Sequence, residues 1–347
     1  MSFQVQKELP RAAVVLSKLP LSPELQAQVK KDQEEIKAIL RGDDNRKIMI
    51  IGPCSAWPED AVLDYAAQLK PTAEKVSHKI KIVMRTYLQK PRTTVGWLGP
   101  INQPNPFEEP DLETGTYYCR EMMIKAVEMG YALADEALFT HNDSYYVDLL
   151  SWIAIGARSA EDQEHRIFAS MIEHPVGLKN PTSGDLNIAV NSVIAAQYSH
   201  VFAFHGQQIK TDGNPYAHLI LRGGGGFPNH DLETLITATQ KLADKNIKNP
   251  SIIVDLSHDN SLNTQTGKKD PDLQPQVLAQ VLKSMKDNPE IANSIKGFMA
   301  ESFIKSGKQD ATAFNSPNEL NYGQSITDGC LGIEETKQML EDLAETL

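Results

Sequence analysis

Ionisable residues recur in this chain at the ends of short apolar runs. Arg85 closes Ile82-Val83-Met84, Glu136 closes Tyr131-Ala132-Leu133-Ala134-Asp135, and Lys179 closes Val176-Gly177-Leu178. Arg222 closes Leu219-Ile220-Leu221 and Glu301 closes Gly297-Phe298-Met299-Ala300. Cys54 follows Ile48-Met49-Ile50-Ile51 across Gly52-Pro53, Arg158 follows Ile155-Gly156-Ala157, and His258 follows Ile253-Val254-Asp255-Leu256-Ser257. Two chemical sets emerge. Cys54, His258 and Glu301, with Asp328 from Ser325-Ile326-Thr327-Asp328-Gly329, offer a thiolate, an imidazole and two carboxylates. That mixed donor set suits a divalent transition ion, with no sharp preference among Mn, Fe, Co, Zn and Cu. The second set is Arg85, Lys90, Arg92, Arg158, Lys179 and Arg222. So many cations in a chain of net charge -11 point to substrates carrying several phosphate or carboxylate groups. Singly, each residue has an ordinary reading: a lone Cys or His packs, a surface Arg is solvated, and Glu136 or Glu301 caps a nearby helix. The ligand and polyanion readings rest on the sets.

The elements that must carry these residues alternate short β-branched or apolar runs with longer helical stretches, the pattern of parallel βα units. Strand candidates are 47–52, 81–85, 131–136, 152–157, 176–179, 199–204, 218–222, 251–255 and 296–301. This is one more than a (β/α)₈ TIM barrel needs. The segment between Phe204 and Arg222, with Thr211-Asp212-Gly213-Asn214-Pro215, therefore reads as an inserted hairpin after the sixth candidate. In such a barrel the active site lies at the C-terminal ends of the strands, where both chemical sets fall. Residues 1–46 read as an N-terminal arm and helix, and 47–347 as the catalytic barrel. Gln26 to Leu40 has helical apolar spacing and Gly42-Asp43-Asp44 stops it. The arm has few ways to bury Leu16, Leu19 and Leu21 alone, so it is expected to pack on another subunit or across the barrel.

At 347 residues, 41% of them hydrophobic and 23% charged, the chain can bury a large core. No basic run suggests a nucleic-acid or anionic-membrane surface. No apolar run is long enough to span a bilayer and the N-terminus lacks a signal-peptide core, so a cytoplasmic protein is expected. Cys54, Cys119 and Cys330 are too scattered for a disulfide framework. Packing explains Cys119, on a helix; Cys330 belongs near the site without being a ligand.

Several strings carry more than spacing. Met84-Arg85-Thr86-Tyr87 followed by Lys90-Pro91-Arg92-Thr93-Thr94-Val95-Gly96-Trp97 resembles the signature of the class I 3-deoxy-D-arabino-heptulosonate-7-phosphate (DAHP) synthases of the bacterial, aromatic-amino-acid-regulated type. It is joined by Gly52-Pro53-Cys54-Ser55, Ile155-Gly156-Ala157-Arg158, Gly177-Leu178-Lys179-Asn180, Leu221-Arg222-Gly223-Gly224, Asp255-Leu256-Ser257-His258 and Ser325-Ile326-Thr327-Asp328, in the family's order. The resemblance implies condensation of phosphoenolpyruvate with erythrose 4-phosphate, the first step of the shikimate pathway, in a homodimer or homotetramer. It implies Cys54, His258, Glu301 and Asp328 as ligands of a divalent metal ion. By the same resemblance Arg158 and Arg222 bind the phosphate of phosphoenolpyruvate and Arg85 and Lys179 its carboxylate side. Lys90, Arg92 and Thr93 face the second substrate, and Lys90, Glu136 and Arg85 are the catalytic residues. The alternatives are a related enzyme joining phosphoenolpyruvate to another sugar phosphate, which Lys90-Pro91-Arg92-Thr93 opposes, and a catalytically silent binding subunit.

The chain also departs from the family's pattern. Ala56-Trp57-Pro58-Glu59 follows Gly-Pro-Cys-Ser where relatives read Ile-His, and Phe303 stands where a His commonly follows Glu-Ser. Both changes are expected to touch the rim. The stretch from His200 to Asn214 is shorter than its counterpart, and Phe139, Asp143 and Glu173 replace residues in or near the relatives' inhibitor pocket. Feedback control is expected to be altered or absent.

Overall fold

The computed structural model describes residues 2–92, 95–138, 140–204 and 206–347. Thr93 and Phe139 lie outside the described residues, as does the side chain of Asp143. The strands are β1 (Lys47–Gly52), β2 (Ile80–Arg85), β3 (Ala132–Ala137), β4 (Trp152–Ile155), β5 (Val176–Lys179), β6 (Val201–Phe204), β7 (Gln207–Lys210), β8 (Ala217–Leu221), β9 (Ile252–Asp255), β10 (Leu262–Asn263), β11 (Lys268–Lys269) and β12 (Ile295–Glu301). The helices are α1 (Ala12–Lys18), α2 (Pro23–Arg41), α3 (Glu59–Val76), α4 (Leu112–Glu128), α5 (Gln163–Met171), α6 (Leu186–Gln197), α7 (Leu232–Asp244), α8 (Gln274–Asp287), α9 (Pro289–Ser294) and α10 (Ile333–Thr346). Eight parallel strands close in the order β1-β2-β3-β4-β5-β8-β9-β12, the expected (β/α)₈ barrel.

The spare strand candidate is resolved by topology. Val201–Phe204 is no barrel stave; it pairs antiparallel with Gln207–Lys210 as the hairpin's own first arm. Thr211–Pro215, the turn signal in the sequence, is the return from the hairpin to β8. The apolar composition of Val201–Phe204 suggested a barrel strand, yet Val201 is 61% exposed.

Side chains alternate along each strand, as period two requires. Ile48, Ile50, Val83, Ala132, Ala134, Trp152, Ala154, Ile220, Ile253 and Met299 form an inner cluster, joined by Ile36, Ile39 and Leu40 of α2. Met49, Ile51, Met84, Leu133 and Ile155 belong to a second cluster with α3 and α4 side chains such as Tyr65, Leu69 and Met122. The helix α2 is well specified: Ser22 caps it by accepting from Leu25 N, Pro23 occupies the first turn, and Gly42 ends it at φ 86°. The arm packs across its own barrel, with Val15 and Leu21 buried and Arg120 Nε donating to Leu19 O at 2.9 Å. No described helix is long and apolar enough to cross a membrane.

Candidate active site

Strand register brings the first chemical set together. Gly52 pairs with Glu301 across β1 and β12, which places Cys54, two residues on, beside that carboxylate. On the other flank of β12, Met299 pairs with Asp255 of β9, so the turn carrying His258 falls next to Glu301. Asp328 lies beyond β12 in a loop pinned by the bridges Gly307–Cys330 and Lys308–Ser325. One donor atom each from Cys54, Glu301 and Asp328 lies within 4.8 Å of the others. His258 Nε2 sits 3.9 Å from Glu301 Oε1. This S/O/O cluster with an imidazole at its edge fits a divalent ion. Burial and the neighbouring Glu301 push the Cys54 thiol up to about 11, outweighing the pull of Lys90. Asp328 goes the other way: burial alone would raise it, but Lys90, His258 and Lys269 hold it down to about 2. Binding a cation would therefore release the thiol proton.

The cations come from the opposite arc of the barrel. Arg85 ends β2 and is fully buried; its Nη2 donates to Glu301 Oε1 at 3.0 Å. Its Nη1 has no hydrogen-bond partner among the described residues, an arrangement that asks for an anion. Lys90 Nζ donates to Cys54 O at 2.6 Å and stands 3.1 Å from Cys54 Sγ. Burial opposes its charge, but the thiol and Glu301 more than restore it, and its pKa is raised. Lys179, ending β5, donates to Glu136 Oε2 at 3.1 Å. Burial would raise the Glu136 carboxyl, yet Lys179 and Lys90 pull it below the usual range. Room for that carboxylate depends on Gly156, where a Cβ would sit 2.5 Å from Glu136 Oε1. Arg222 follows β8 directly, and Arg158 follows β4 on the rim.

All these groups face one cavity of about 210 Å³ lined by Arg85, Lys90, Arg92, Arg158, Lys179 and Arg222 with Glu136, His258, Glu301 and Asp328. Cys54 lies behind the wall. Of the candidate metal and substrate residues, only Thr93 falls outside the described residues. The two departures from the family pattern do not line the cavity: Phe303 is buried beside Tyr65, and Trp57 packs its ring edge on Trp97, 6.1 Å away. Trp57 still reaches the site indirectly, because Trp97 O accepts from Arg92 Nε at 2.8 Å.

Three residues were not singled out by the sequence reading. Asp255 Oδ2 makes an ionic contact 2.8 Å from His258 Nδ1, which is hydrogen-bonded to Ser257 Oγ at 2.8 Å, and together they occupy Nδ1 and leave Nε2 to the donor cluster. The three-residue spacing from His258 was the available signal. Tyr87 places its ring 4.0 Å from the Arg85 guanidinium and within 6 Å of Lys90 and Lys179 Nζ. Lys269, on β11, lines the cavity with no preceding apolar run to mark it.

A closed parallel barrel whose mouth joins a thiol, imidazole and carboxylate donor set to a wall of cations is the architecture of an enzyme for polyanionic substrates. A profile of the DAHP synthetase I family matches residues 24–341, and the chain belongs to that family. It is 39% identical over 333 residues to the Tyr-sensitive phospho-2-dehydro-3-deoxyheptonate aldolase of Escherichia coli, covering 94% of this chain and 90% of that one. It is 36% identical over 346 residues to the phospho-2-dehydro-3-deoxyheptonate aldolase of Corynebacterium glutamicum, covering 97% and 91%. The solved structure of the phospho-2-dehydro-3-deoxyheptonate aldolase from Francisella tularensis superposes with a TM-score of 0.90 at 36% identity, covering 99% of this chain and 98% of that one.

Proposed function

We propose that this barrel condenses phosphoenolpyruvate with erythrose 4-phosphate and water, giving DAHP and phosphate, with Cys54, His258, Glu301 and Asp328 holding a divalent metal ion. One observation carries the reading. His258, Glu301 and Asp328 line the same cavity as the cations, with Cys54 directly behind the wall, so an aldehyde oxygen at the donors and two phosphorylated substrates at the cations meet inside it. When bound, the ion supplies Lewis-acid polarisation of the aldehyde oxygen. Arg158 and Arg222 grip the phosphoryl group of phosphoenolpyruvate, and Arg85 and Lys179 its carboxylate. Arg92 and Thr93 hold erythrose 4-phosphate. Carbon 3 of phosphoenolpyruvate attacks the aldehyde carbon, water adds at carbon 2, and phosphate leaves. Two polyanions repel in water, and fixed cations offset that repulsion while holding the reacting carbons in register. Among the protonable groups of the cavity, Lys90 Nζ can supply the proton that the aldehyde oxygen takes up, and the Glu136 carboxylate can take one from the adding water.

Exposed apolar side chains on the arm, Phe3 and Val5, at the end of α6, Tyr198, and on the hairpin, Val201, support a homodimer or homotetramer, and a cytoplasmic location belongs to the same reading. The test of the activity is consumption of phosphoenolpyruvate with a panel of phosphorylated aldehydes, with and without chelator. Turnover with erythrose 4-phosphate that stops on chelation is expected; preference for another sugar phosphate would redirect the assignment.

A further inference from the structure

Arg222 and Lys269 reach the cavity from different elements, and one carboxylate stands between them. Asp259 Oδ2 lies 3.6 Å from Arg222 Nη1, and Asp259 Oδ1 lies 3.5 Å from Lys269 Nζ. Both separations exceed a direct N–H···O hydrogen bond, which centres near ~2.9 Å. Elsewhere comparable partners close up, as Arg120 does on Asp148 at 2.7 and 2.8 Å. The Asp259 carboxylate thus attracts both cations without closing on either, and a phosphoryl group carrying more oxygens and more charge can take its place.

The fold fixes this carboxylate. His258, just before it, takes a left-handed φ of 58°, and Asp259 N donates to Arg222 O at 3.2 Å. Gly223, at φ +71°, admits the close approach, since a Cβ there would meet Asp259 Cβ at 2.6 Å. Lys269 is set by the pairing of β11 with β10, where it faces Leu262. An exposed lysine beside an exposed aspartate is common and worth little. Here the Asp259 and Arg222 side chains are only 16% and 7% exposed, so the pair belongs to the cavity wall. Lys269 also lines a second cavity of about 410 Å³ on the far side of His258 and Asp328, and so stands at the junction of the two.

We propose that Lys269 is a further phosphate-binding cation for phosphoenolpyruvate, acting opposite Arg222, and that Asp259 is the positioning residue that holds both until the phosphoryl group displaces it. This rests on the assignment of Arg222 to that group. The test titrates phosphoenolpyruvate into the full-length, Mn-loaded protein by calorimetry and measures KM for both substrates. Lys269→Met is expected to weaken phosphoenolpyruvate binding by about 5- to 20-fold, the effect of one half-exposed charged contact. KM for erythrose 4-phosphate and kcat should stay within about 2-fold, and Lys269→Arg should recover most of the affinity. In an Asp259→Ala background Lys269→Met should lose less than half as much, because the lysine is no longer held. Wild-type affinity in Lys269→Met overturns the proposal, and an equal loss with and without Asp259 overturns the positioning role. Arg222→Ala measured alongside separates the readings: a loss there but not with Lys269→Met sinks this inference alone, whereas no loss in either sinks the phosphoryl-site assignment beneath it.

Discussion

Both ends of the barrel bury side chains, and they are built from opposite materials. At the N-terminal end, Ile36, Ile39 and Leu40 of α2 meet Ile48, Val83, Trp152 and Ile253 and close the bottom with hydrocarbon. At the C-terminal end, Arg85, Lys90, Glu136, Lys179 and Glu301 are each no more than 8% exposed, held by the ion pairs Arg85–Glu301 and Lys179–Glu136 and by hydrogen bonds such as Lys90 to Cys54 O. Burial at the bottom is favourable by itself, at about 25 cal/mol per Å² of apolar surface. Burial at the mouth costs several kcal/mol per ion before pairing, and pairing seldom returns all of it. The mouth is therefore a cost that chemistry requires, and the plugged bottom is part of what sustains it.

The sharpest way to break that contrast is to remove the donor cluster. Chelation, Cys54→Ala or His258→Ala should lower turnover by about 10³-fold or more, the scale of losing a Lewis acid worth several kcal/mol. Bound metal per chain should fall in parallel while thermal stability of the metal-free protein hardly changes. Full turnover in a demonstrably metal-free preparation would refute the metal assignment. Next in size is the opposite end. Ile39→Ala should cost about 2–5 kcal/mol of unfolding free energy, read from the denaturant midpoint, by leaving a cavity beneath the barrel. Its KM values should match wild type, and a kinetic effect as large as the stability loss would mean the two ends are coupled. Smaller again are the substrate cations. Arg222→Ala should mainly weaken phosphoenolpyruvate and Arg92→Ala mainly erythrose 4-phosphate, each by about 1.5–3 kcal/mol. Steady-state kinetics with the opposite pattern would exchange the two subsites.

The same contrast explains what could be read before the fold was known. A polar residue closing an apolar run is conspicuous, and parallel register turns that local signal into a shared rim; Cys54, Arg85, Glu136, Lys179, Arg222 and Glu301 were all legible this way. Asp255 closes an apolar run like the others, but its partner was not legible, because the left-handed turn at His258 is what brings the imidazole back to its carboxylate. Lys269 sits on a two-residue strand, which has no periodicity to detect. The sixth strand candidate misled for a related reason. Val201-Phe202-Ala203-Phe204 has the composition of a buried strand, and composition cannot say which edge a strand will find. Its surface exposure reflects the hairpin's projection from the barrel.

That hairpin supports the prediction with the smallest expected effect, an inhibition that stays near zero. Phe202, Ala203 and Phe204 of the hairpin line a cavity of about 360 Å³ with Ile167, Phe168, Met171, Thr140 and Glu164. An aromatic side chain would find apolar walls there. An α-carboxylate would not find a partner: among the described residues lining the cavity there is no cation, and the one charged group is Glu164, which accepts from Thr140 Oγ1 at 2.6 Å. Glu173 is exposed and does not line this cavity, so the carboxylate that would face an amino-acid ligand there is Glu164. Like charge at a binding site works against a ligand, and a ligand that binds neither state cannot shift a population between two. Phenylalanine, tyrosine and tryptophan titrated separately at limiting phosphoenolpyruvate should each change the rate by less than about 2-fold at concentrations of order 1 mM, equivalent to less than about 0.4 kcal/mol of coupling. Glu164→Gln removes the repulsion and should, if anything, raise sensitivity. Saturable inhibition of the wild type by any of the three would show that a cation beyond the described lining, or from a second copy of the chain, completes the pocket.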